Sequence, residues 1–454
     1  MSEPIQYYST NRKAEKVSFR EALLIGQAPD KGLYLPESIP RLEKELIYSL
    51  KGKEYPEVAF LVAQLFLKDE LPDTELKKIC EDAYNFPVPL EKVIGRQYLM
   101  RLDQGPTAAF KDFAARMMAR LMQYFLLEEE GDGKLIILTA TSGDTGGAVA
   151  AAFHGLDNID VVVLFPEKEV SDRQRKQMTT LGENVTAIAV NGKFDDCQAM
   201  VKEAFTDKEL GSIRLSSANS INFGRLLPQA VYYVYAYAQL FEEEGEEIVF
   251  SVPSGNFGDI MGGLVAKKIG VPVSKFVVAV NENDEFPRFV ETGEYEKIVP
   301  SKNCPSTAMN VGHPSNLARL IDFYGGWLDE RGMLHKMPDL DAIRKDMFAV
   351  SISNDDTRKV IQDTYEENNC ILEPHGAVGW AGLLEYNKAI KDEPFAVSLE
   401  TADPAKFPEV LDELGIKPDI PESLSRILEK EEEYDKLPAN YSHFKEFLIK
   451  KFRD

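Results

Sequence analysis

The chain has 454 residues, with 52 lysines and arginines against 75 aspartates and glutamates, which gives a formal net charge of −23. This length predicts two or three domains with sizeable cores, and the acidic balance argues against general binding of nucleic acid or of an anionic membrane surface. Any phosphate-bearing ligand must therefore be held by local features.

Cysteine and histidine residues are few and scattered. The four cysteines show no CxxC spacing and the five histidines form no HExxH pair, so we predict neither a disulfide framework nor a metal site. The amino terminus lacks a basic region followed by an apolar stretch, and no segment is long and apolar enough to span a bilayer. We therefore expect a cytoplasmic enzyme without membrane contact.

The first 93 residues mix short apolar patches with helical signals, such as the segment from Pro56 to Leu67. They carry no glycine-rich ligand loop, and we interpret residues 1–93 as an accessory domain. The segment from Gln104 to Phe113 has a different character, because Lys111 stands there between two phenylalanines, after a turn-forming Gly-Pro pair.

The surroundings of Lys111 bear on its chemistry. An ammonium group held against apolar surface loses hydration, which lowers its pKa and makes a neutral, nucleophilic amine available near neutral pH. Such an amine can form a Schiff base with an aldehyde cofactor. A lysine beside aromatic residues more often keeps its charge in water while its stem is buried, so this segment alone leaves both interpretations open.

From Lys134 onward, short apolar runs alternate with helical segments, which is typical of a parallel sheet with crossover helices. The predicted strands lie at residues 135–138, 161–165 and 185–190, and the predicted helices at 148–153, 171–181 and around 196–205. We assign residues 134–219 to a small α/β domain.

A second series of strands is predicted at residues 247–252, 276–280 and 395–399. It follows a tyrosine-rich helical stretch at 228–241, whose tyrosines we interpret as core residues because they recur at helical spacing. We assign residues 94–133 and 220–454 to a large domain.

Two glycine-rich turns each lie between a predicted strand and a helix, where free backbone N–H groups and the helix dipole favour an anion. The first, at residues 139–147, adds the hydroxyls of Ser142 and Thr145. It is neither a G-x-G-x-x-G fingerprint nor a P-loop, and its anion could be a carboxylate. The second, at residues 251–259, can wrap a phosphate with backbone amides.

Two further polar segments supply candidate ligand contacts. Residues 215–225 bring together Asn219, Ser220, Asn222 and Arg225. A helix-capping role explains Ser220 or Asn222 equally well, whereas the guanidinium of Arg225 can clamp a phosphate. Thr401 follows the end of a predicted strand, where ligand-facing residues of open α/β sheets lie.

Taken together, these segments resemble the threonine synthase family. The resemblance is carried, in that family's order, by residues 105–113, 139–146, 217–222, 252–259 and 401–407. It extends to the amino-terminal domain through residues 17–22 and 31–36.

The resemblance implies an α/β enzyme of fold-type II, with pyridoxal 5'-phosphate held between two parallel-sheet domains. Lys111 is then the Schiff-base lysine and Thr401 the partner of the pyridine nitrogen. The implied phosphate cradle consists of Gly255, Asn256, Phe257, Gly258 and Asp259. Because a hydroxyl cannot supply the negative charge that keeps the ring protonated, we expect a milder electron sink than an aspartate would give.

Asp144 departs from the wider fold family, in which many members carry asparagine at this position. Because an ionised Asp144 would repel a substrate carboxylate, we assign carboxylate binding to Ser142, Thr145 and nearby amides. Asp144 is then expected either to cap the following helix or to share a proton with the cofactor's ring hydroxyl. The remaining implied substrate contacts are Asn219, Ser220, Asn222 and Arg225.

The implied reaction converts O-phospho-L-homoserine and water to L-threonine and phosphate, in a monomer or homodimer with small-molecule ligands only. A phospho-lyase or a serine/threonine deaminase on the same fold is the nearest alternative. A non-catalytic module of this fold is a third possibility. A nucleotide-binding oxidoreductase fits less well, because the glycine fingerprint is absent.

Overall fold

The computed structural model describes residues 4–129 and 133–453. Its amino-terminal part contains β1 (Tyr7–Ser9), α1 (Phe19–Ile25), β2 (Tyr34–Pro36), α2 (Lys44–Ser49), α3 (Tyr55–Leu67) and α4 (Asp73–Ala83). Helix α1 begins at a capping box: the Ser18 hydroxyl accepts from the Glu21 backbone N–H at 3.2 Å, and the Glu21 carboxylate accepts from the Ser18 N–H at 2.8 Å.

The next part of the chain builds a hairpin, a long helix and the smaller parallel sheet. Its elements are β3 (Leu90–Ile94), β4 (Gln97–Arg101), α5 (Lys111–Leu127), β5 (Leu135–Ala140), α6 (Asp144–Phe153), β6 (Ile159–Pro166), α7 (Asp172–Thr179), β7 (Val185–Asn191), α8 (Phe194–Ala204) and β8 (Leu215–Ser217). The strands and helices predicted between residues 135 and 205 are confirmed, with shifts of a few residues at their ends.

The carboxy-terminal half supplies most of the larger sheet. Its elements are α9 (Leu227–Leu240), β9 (Ile248–Pro253), α10 (Gly258–Ile269), β10 (Val273–Val280), α11 (Glu285–Thr292), α12 (Leu317–Phe323), β11 (Trp327–Leu328), β12 (Leu334–Lys336), α13 (Leu340–Asp346), β13 (Met347–Ser351), α14 (Asn354–Asn368), α15 (Pro374–Ile390), β14 (Ala396–Glu400), α16 (Pro408–Glu413), α17 (Glu422–Leu428), β15 (Asp435–Pro438) and α18 (Tyr441–Phe452).

Two sheets organise the molecule. The larger has the strand order β13-β10-β9-β14-β4-β3, in which only the β3–β4 pair is antiparallel, and the smaller has the all-parallel order β15-β7-β6-β5-β8. The β9 and β14 segments are buried throughout, as expected for parallel strands covered by helices on both faces. The predicted fold class, two parallel-sheet α/β units, is confirmed.

The carboxy-terminal end of the chain departs from the predicted domain boundary. We placed it in the large domain, but β15 pairs in parallel with β7 at the edge of the smaller sheet. Phe444 and Leu448 of α18 pack into the same core as Ile136 and Leu138 of β5. This return covers an edge strand that would otherwise expose unpaired backbone groups. The other domain boundaries stay predictions.

The core confirms the interpretation of the tyrosine-rich helix. Tyr232, Tyr233 and Tyr237 of α9 are fully buried, so they are packing residues as expected. The amino-terminal part joins this core directly, since the backbone N–H of Leu42 donates to the Ile269 carbonyl at 2.9 Å.

Candidate active site

A cavity of about 670 Å³ opens where the carboxyl ends of strands from both sheets meet. It is lined by nearly all the residues that the sequence singled out: Lys111, Ser142, Asp144, Thr145, Asn219, Ser220, Arg225, Gly255, Asn256, Phe257, Gly258, Asp259 and Thr401. Ligand sites of open α/β folds lie in such crevices. The roles of these residues stay predictions, but the structure brings them together.

The amino-terminal part contributes a wall of this cavity, which the sequence did not indicate. Thr10, Gln27, Lys31, Gly32 and Leu33 line it, and all but Thr10 and Gln27 belong to the segment at residues 31–36 that resembles the family. The amino-terminal part is therefore built into the site.

Lys111 is the first residue of α5, and its Nζ lies 4.5 Å from the ring centroid of Phe110. Burial lowers the pKa of this ammonium, although the nearby Asp144 carboxylate opposes the shift. Lys406 and Arg225 lower the pKa further by charge repulsion. A lowered pKa leaves a larger fraction of the amine neutral at neutral pH, and the neutral form is the one that can attack an aldehyde or accept a proton.

The loop before Lys111 is fixed by hydrogen bonds. The Phe110 N–H donates to the Thr401 carbonyl at 2.8 Å, which ties this loop to the end of β14. The Asp112 carboxylate accepts from the backbone N–H of Thr107 at 2.8 Å and from its hydroxyl at 2.6 Å. These bonds hold the lysine and Thr401 on adjacent backbone segments.

Asp144 forms a buried salt bridge that the sequence did not reveal. Its Oδ1 lies 2.6 Å from Nζ of Lys406, and the two side chains are 3% and 0% exposed. Gln174 also donates to this oxygen at 3.0 Å. Burial raises the pKa of Asp144, but Lys406, Lys111 and Gln174 outweigh it and hold the pKa well below its ordinary value.

Two expectations for Asp144 change as a result. Its charge is balanced by Lys406, so the repulsion of a substrate carboxylate that we predicted is largely removed. The helix-capping alternative is wrong. Gly143 occupies the cap position of α6, which therefore has no side-chain cap, and the Asp144 carboxylate pairs with Lys406 instead. A contact between Asp144 and the cofactor stays a prediction.

The turn after β9 has the backbone shape of an anion cradle. Phe257 caps α10 with a left-handed φ of +61°, an unusual conformation for a residue with a side chain, and its ring packs against Phe286. A Cβ on Gly255 would lie 2.8 Å from the Ala308 carbonyl oxygen, so only glycine fits. The turn therefore leads into the amino terminus of α10, where backbone N–H groups are free to bind a phosphate.

The side chain of Asp259 is held away from any role as a phosphate ligand. Its Oδ1 accepts from the hydroxyls of Tyr232 at 2.5 Å and Tyr233 at 2.7 Å, and burial raises its pKa to about 6. A carboxylate repels a phosphate, so only the backbone of Asp259 suits the predicted cradle.

The prediction that Asn222 contacts the substrate is wrong. Its Nδ2 donates to the carbonyls of Leu23 at 2.8 Å and Ser217 at 2.9 Å, and its Oδ1 accepts from the Gly224 N–H at 2.9 Å. Because these bonds use its amide completely, Asn222 is a buried helix cap that fixes the polar segment. Asn219 and Ser220, by contrast, line the cavity.

Thr401 has an acidic neighbour that the sequence analysis missed. Its hydroxyl donates to Oε1 of Glu373 at 3.0 Å, and Glu373 is fully buried at the start of α15. The available signal was the Glu-Pro-His sequence at residues 373–375, which is typical of a helix start.

Comparison with known protein families shows the class of enzyme to which the chain belongs. A family model described as pyridoxal-phosphate dependent enzyme matches residues 86–400, more than half of the chain. The chain is therefore a member of the pyridoxal-phosphate dependent enzymes. Models described as threonine synthase N terminus and threonine synthase, C-terminal match residues 6–84 and 376–448.

Individual relatives narrow this to one family. A threonine synthase from Haemophilus influenzae is 39% identical over 447 residues, which cover 98% of this chain and 99% of that protein. The crystal structure of PLP-bound threonine synthase from Brucella melitensis matches with a TM-score of 0.91 and 35% identity, over 99% of this chain and 100% of that one. The threonine synthase structure from Escherichia coli matches with a TM-score of 0.87 and 34% identity, over 98% and 99%. The chain belongs to the threonine synthase family.

Across residues 4–129 and 133–453, none of the helices has the length and apolarity that a membrane crossing requires.

Proposed function

We propose that this chain converts O-phospho-L-homoserine and water to L-threonine and phosphate, as a carbon–oxygen lyase that acts on a phosphate ester. Its family membership supports this function, and the state of Arg225 is the observation in the site that carries it.

Arg225 is a buried cation with spare capacity to bind an anion. It is 3% exposed, and in the described part of the chain it forms no salt bridge and its Nε has no hydrogen-bond partner. Its Nη1 donates to the Ala218 carbonyl at 2.7 Å. Burial lowers the pKa of the guanidinium to about 10, so it remains charged at neutral pH. A buried, unpaired charge is costly unless a ligand pairs with it, and the planar donor pattern of arginine suits phosphate.

The residues of the cavity fit pyridoxal 5'-phosphate. Lys111 would hold its aldehyde carbon, the backbone of the turn from Gly255 to Asp259 would hold its phosphate, and Thr401 would contact its ring nitrogen. When bound, this cofactor supplies an electron sink that acidifies the C–H bonds of an attached amino acid.

Different side chains of the cavity would bind the substrate carboxylate, transfer protons and stabilise the leaving phosphate. Ser142, Thr145 and the amino terminus of α6 bind the substrate carboxylate. Lys111, with its lowered pKa, would take up protons from Cα and Cβ and deliver protons to Cγ, which becomes the methyl group, and back to Cα. Arg225 stabilises the phosphate as it leaves Cγ, after which water adds at Cβ.

Product analysis tests this function. The PLP-loaded protein is given O-phospho-L-homoserine, and we expect threonine and phosphate in equal amounts, with no turnover of unphosphorylated homoserine. If 2-oxobutyrate is released in place of threonine, the chain is a lyase or deaminase on the same fold. A protein that binds no PLP, and shows no visible absorbance after its addition, would be a non-catalytic member.

We place the enzyme in the cytoplasm, and the free state of its four cysteines supports a reducing compartment. We expect small molecules as its ligands, in a monomer or a homodimer.

Replacing Arg225 with methionine should weaken binding of inorganic phosphate to the PLP-loaded enzyme by about 10- to 100-fold, because a hydrogen bond to a charged group contributes about 1.5–3 kcal/mol. Isothermal titration calorimetry measures the change. Arg214→Met is the matched control, since Arg214 is an exposed arginine paired with Glu129. Equal phosphate affinity in Arg225→Met and the wild type would remove Arg225 from the phosphate site.

A further inference from the structure

The hydroxyl proton of Thr401 is already committed within the protein. Thr401 donates it to Oε1 of Glu373 at 3.0 Å, and the hydroxyl therefore offers only lone pairs to the cavity that it lines. A hydroxyl in this state can accept a hydrogen bond from an N–H group. It cannot at the same time donate one to a bare nitrogen.

The contacts of Glu373 are those of a carboxylate that only accepts hydrogen bonds. Besides Thr401, its two oxygens accept from the backbone N–H of Gly376 at 2.9 Å, from the backbone N–H of His375 at 2.7 Å, and from the His375 ring at 2.5 Å. Four donors on one carboxyl group leave no place for a proton of its own.

The orientation of the His375 ring supports this assignment. Its Nε2 accepts from the backbone N–H of Ala308 at 3.0 Å, so the proton of the ring lies on Nδ1. The Nδ1–H is therefore the donor to Glu373, and the carboxylate is the acceptor. Ala308 also lines the cavity, so the same bond joins the cavity wall to the start of α15.

The neighbouring carboxyl of Glu400 does not compete for the negative charge. Glu400 is fully buried beside Glu373, and its Oε1 accepts from the Glu373 backbone N–H at 2.7 Å. Burial, and then the charge of Glu373, raise the pKa of Glu400 well above its ordinary value. The raised pKa of Glu400 favours its neutral form, whereas the contacts of Glu373 are those of a carboxylate acceptor.

We propose that Glu373 acts through Thr401 as a positioning residue that keeps the ring nitrogen of bound pyridoxal phosphate protonated. The Thr401 oxygen would accept from the ring N–H, while its own hydroxyl proton remains in the hydrogen bond to the Glu373 carboxylate. The negative charge that a hydroxyl alone cannot supply is thus present one hydrogen bond further from the ring. The cofactor is then a strong electron sink, in contrast to the milder one expected from Thr401 alone. This inference rests on the placement of the cofactor in the proposed function.

The protonation state of the ring nitrogen can be measured directly. The enzyme is loaded with pyridoxal phosphate labelled with ¹⁵N in the ring, and the ¹⁵N chemical shift is recorded for the wild type and for Glu373→Gln. The wild type should show the shift of the protonated ring. In Glu373→Gln the amide can donate to Thr401, which releases the hydroxyl proton towards the ring, so the shift should move to that of the unprotonated ring.

Two further variants make the measurement specific. Glu400→Gln is the matched control, because it changes a neighbouring buried carboxyl group whose raised pKa favours the neutral form, and the ring nitrogen in this variant should stay protonated. Thr401→Val removes the hydroxyl independently of Glu373 and should give the unprotonated shift, whereas Thr401→Ser should keep the protonated one.

The results that overturn the inference are an unprotonated ring nitrogen in the wild type, or a protonated one in both Glu373→Gln and Thr401→Val. Wild-type protein that binds no labelled cofactor contradicts the proposed function instead. Bound cofactor with the wrong shift contradicts only the role of Glu373.

Discussion

Replacing Lys111 with alanine is expected to lower the rate of threonine formation by about 10³-fold or more, since it removes both the nucleophile and the proton-transfer group. The aldimine absorbance of the PLP-loaded enzyme should disappear with the activity, because the variant lacks the amine that would form the Schiff base. Borohydride reduction of the wild type, followed by peptide mass mapping, should locate the pyridoxyl group on Lys111.

The control for Lys111 is another lysine on the wall of the same cavity. Lys202 lines the cavity from α8, on the side of the smaller sheet. Lys202→Ala should keep the visible absorbance and the adduct on Lys111. Lys406 is the competing candidate, because it is buried near Lys111 and its charge contributes to the lowered pKa of Lys111. An adduct on Lys406 would show that the central assignment is wrong.

The local features of the site could be predicted because each is written in a short stretch of chain. A buried strand, a glycine-rich turn and a helix follow one another at Ser142 and again at Gly255, and the parallel arrangement places both turns at the same edges of the sheets. The apolar neighbours of Lys111 made it a candidate, and the family resemblance of the surrounding segments decided between a Schiff-base lysine and a solvated one.

The pairings between distant segments could not be predicted in this way. Lys406 lies within a segment that the sequence analysis singled out, but nothing local shows that its ammonium meets Asp144, 262 positions earlier in the chain. The return of β15 to the smaller sheet is equally non-local, because an edge strand of four residues has little pattern of its own. The amino-terminal wall of the cavity is a third case.

The roles of individual polar residues could not be predicted where the segment shows no helix or strand pattern. Asn222 and Ser220 stand two positions apart in the same polar segment. The Asn222 amide donates to two backbone carbonyls, whereas Ser220 lines the cavity. Spacing along an irregular segment does not fix the direction of a side chain, whereas in a helix or strand it does.

Replacing Lys406 with methionine should lower the free energy of unfolding by about 3–5 kcal/mol, because it leaves the Asp144 carboxylate buried without its partner. The pKa of Asp144 in the folded protein lies below its ordinary value, so the stabilisation by this pair is present above the ordinary pKa and is lost as the pH falls through the lowered one. At pH 7 the pair is fully formed, and urea unfolding at that pH measures its loss.

The exposed pair between Lys436 and Glu167 provides the matched control. Lys436→Met breaks a salt bridge whose side chains are 62% and 34% exposed, and it should change the free energy of unfolding far less than Lys406→Met does, because solvent screens an exposed pair. The double variant Lys406→Met/Asp144→Asn should recover part of the lost free energy of unfolding, because it removes the uncompensated charge.

The destabilisation by Lys406→Met alone should depend on pH. Burial favours protonation of Asp144 in this variant, so the loss in free energy of unfolding relative to the wild type should be smaller at pH 5 than at pH 8. If Lys406→Met were no more destabilising than Lys436→Met, the Asp144 charge would have to be balanced by Lys111 instead, and the amine needed for catalysis would remain protonated.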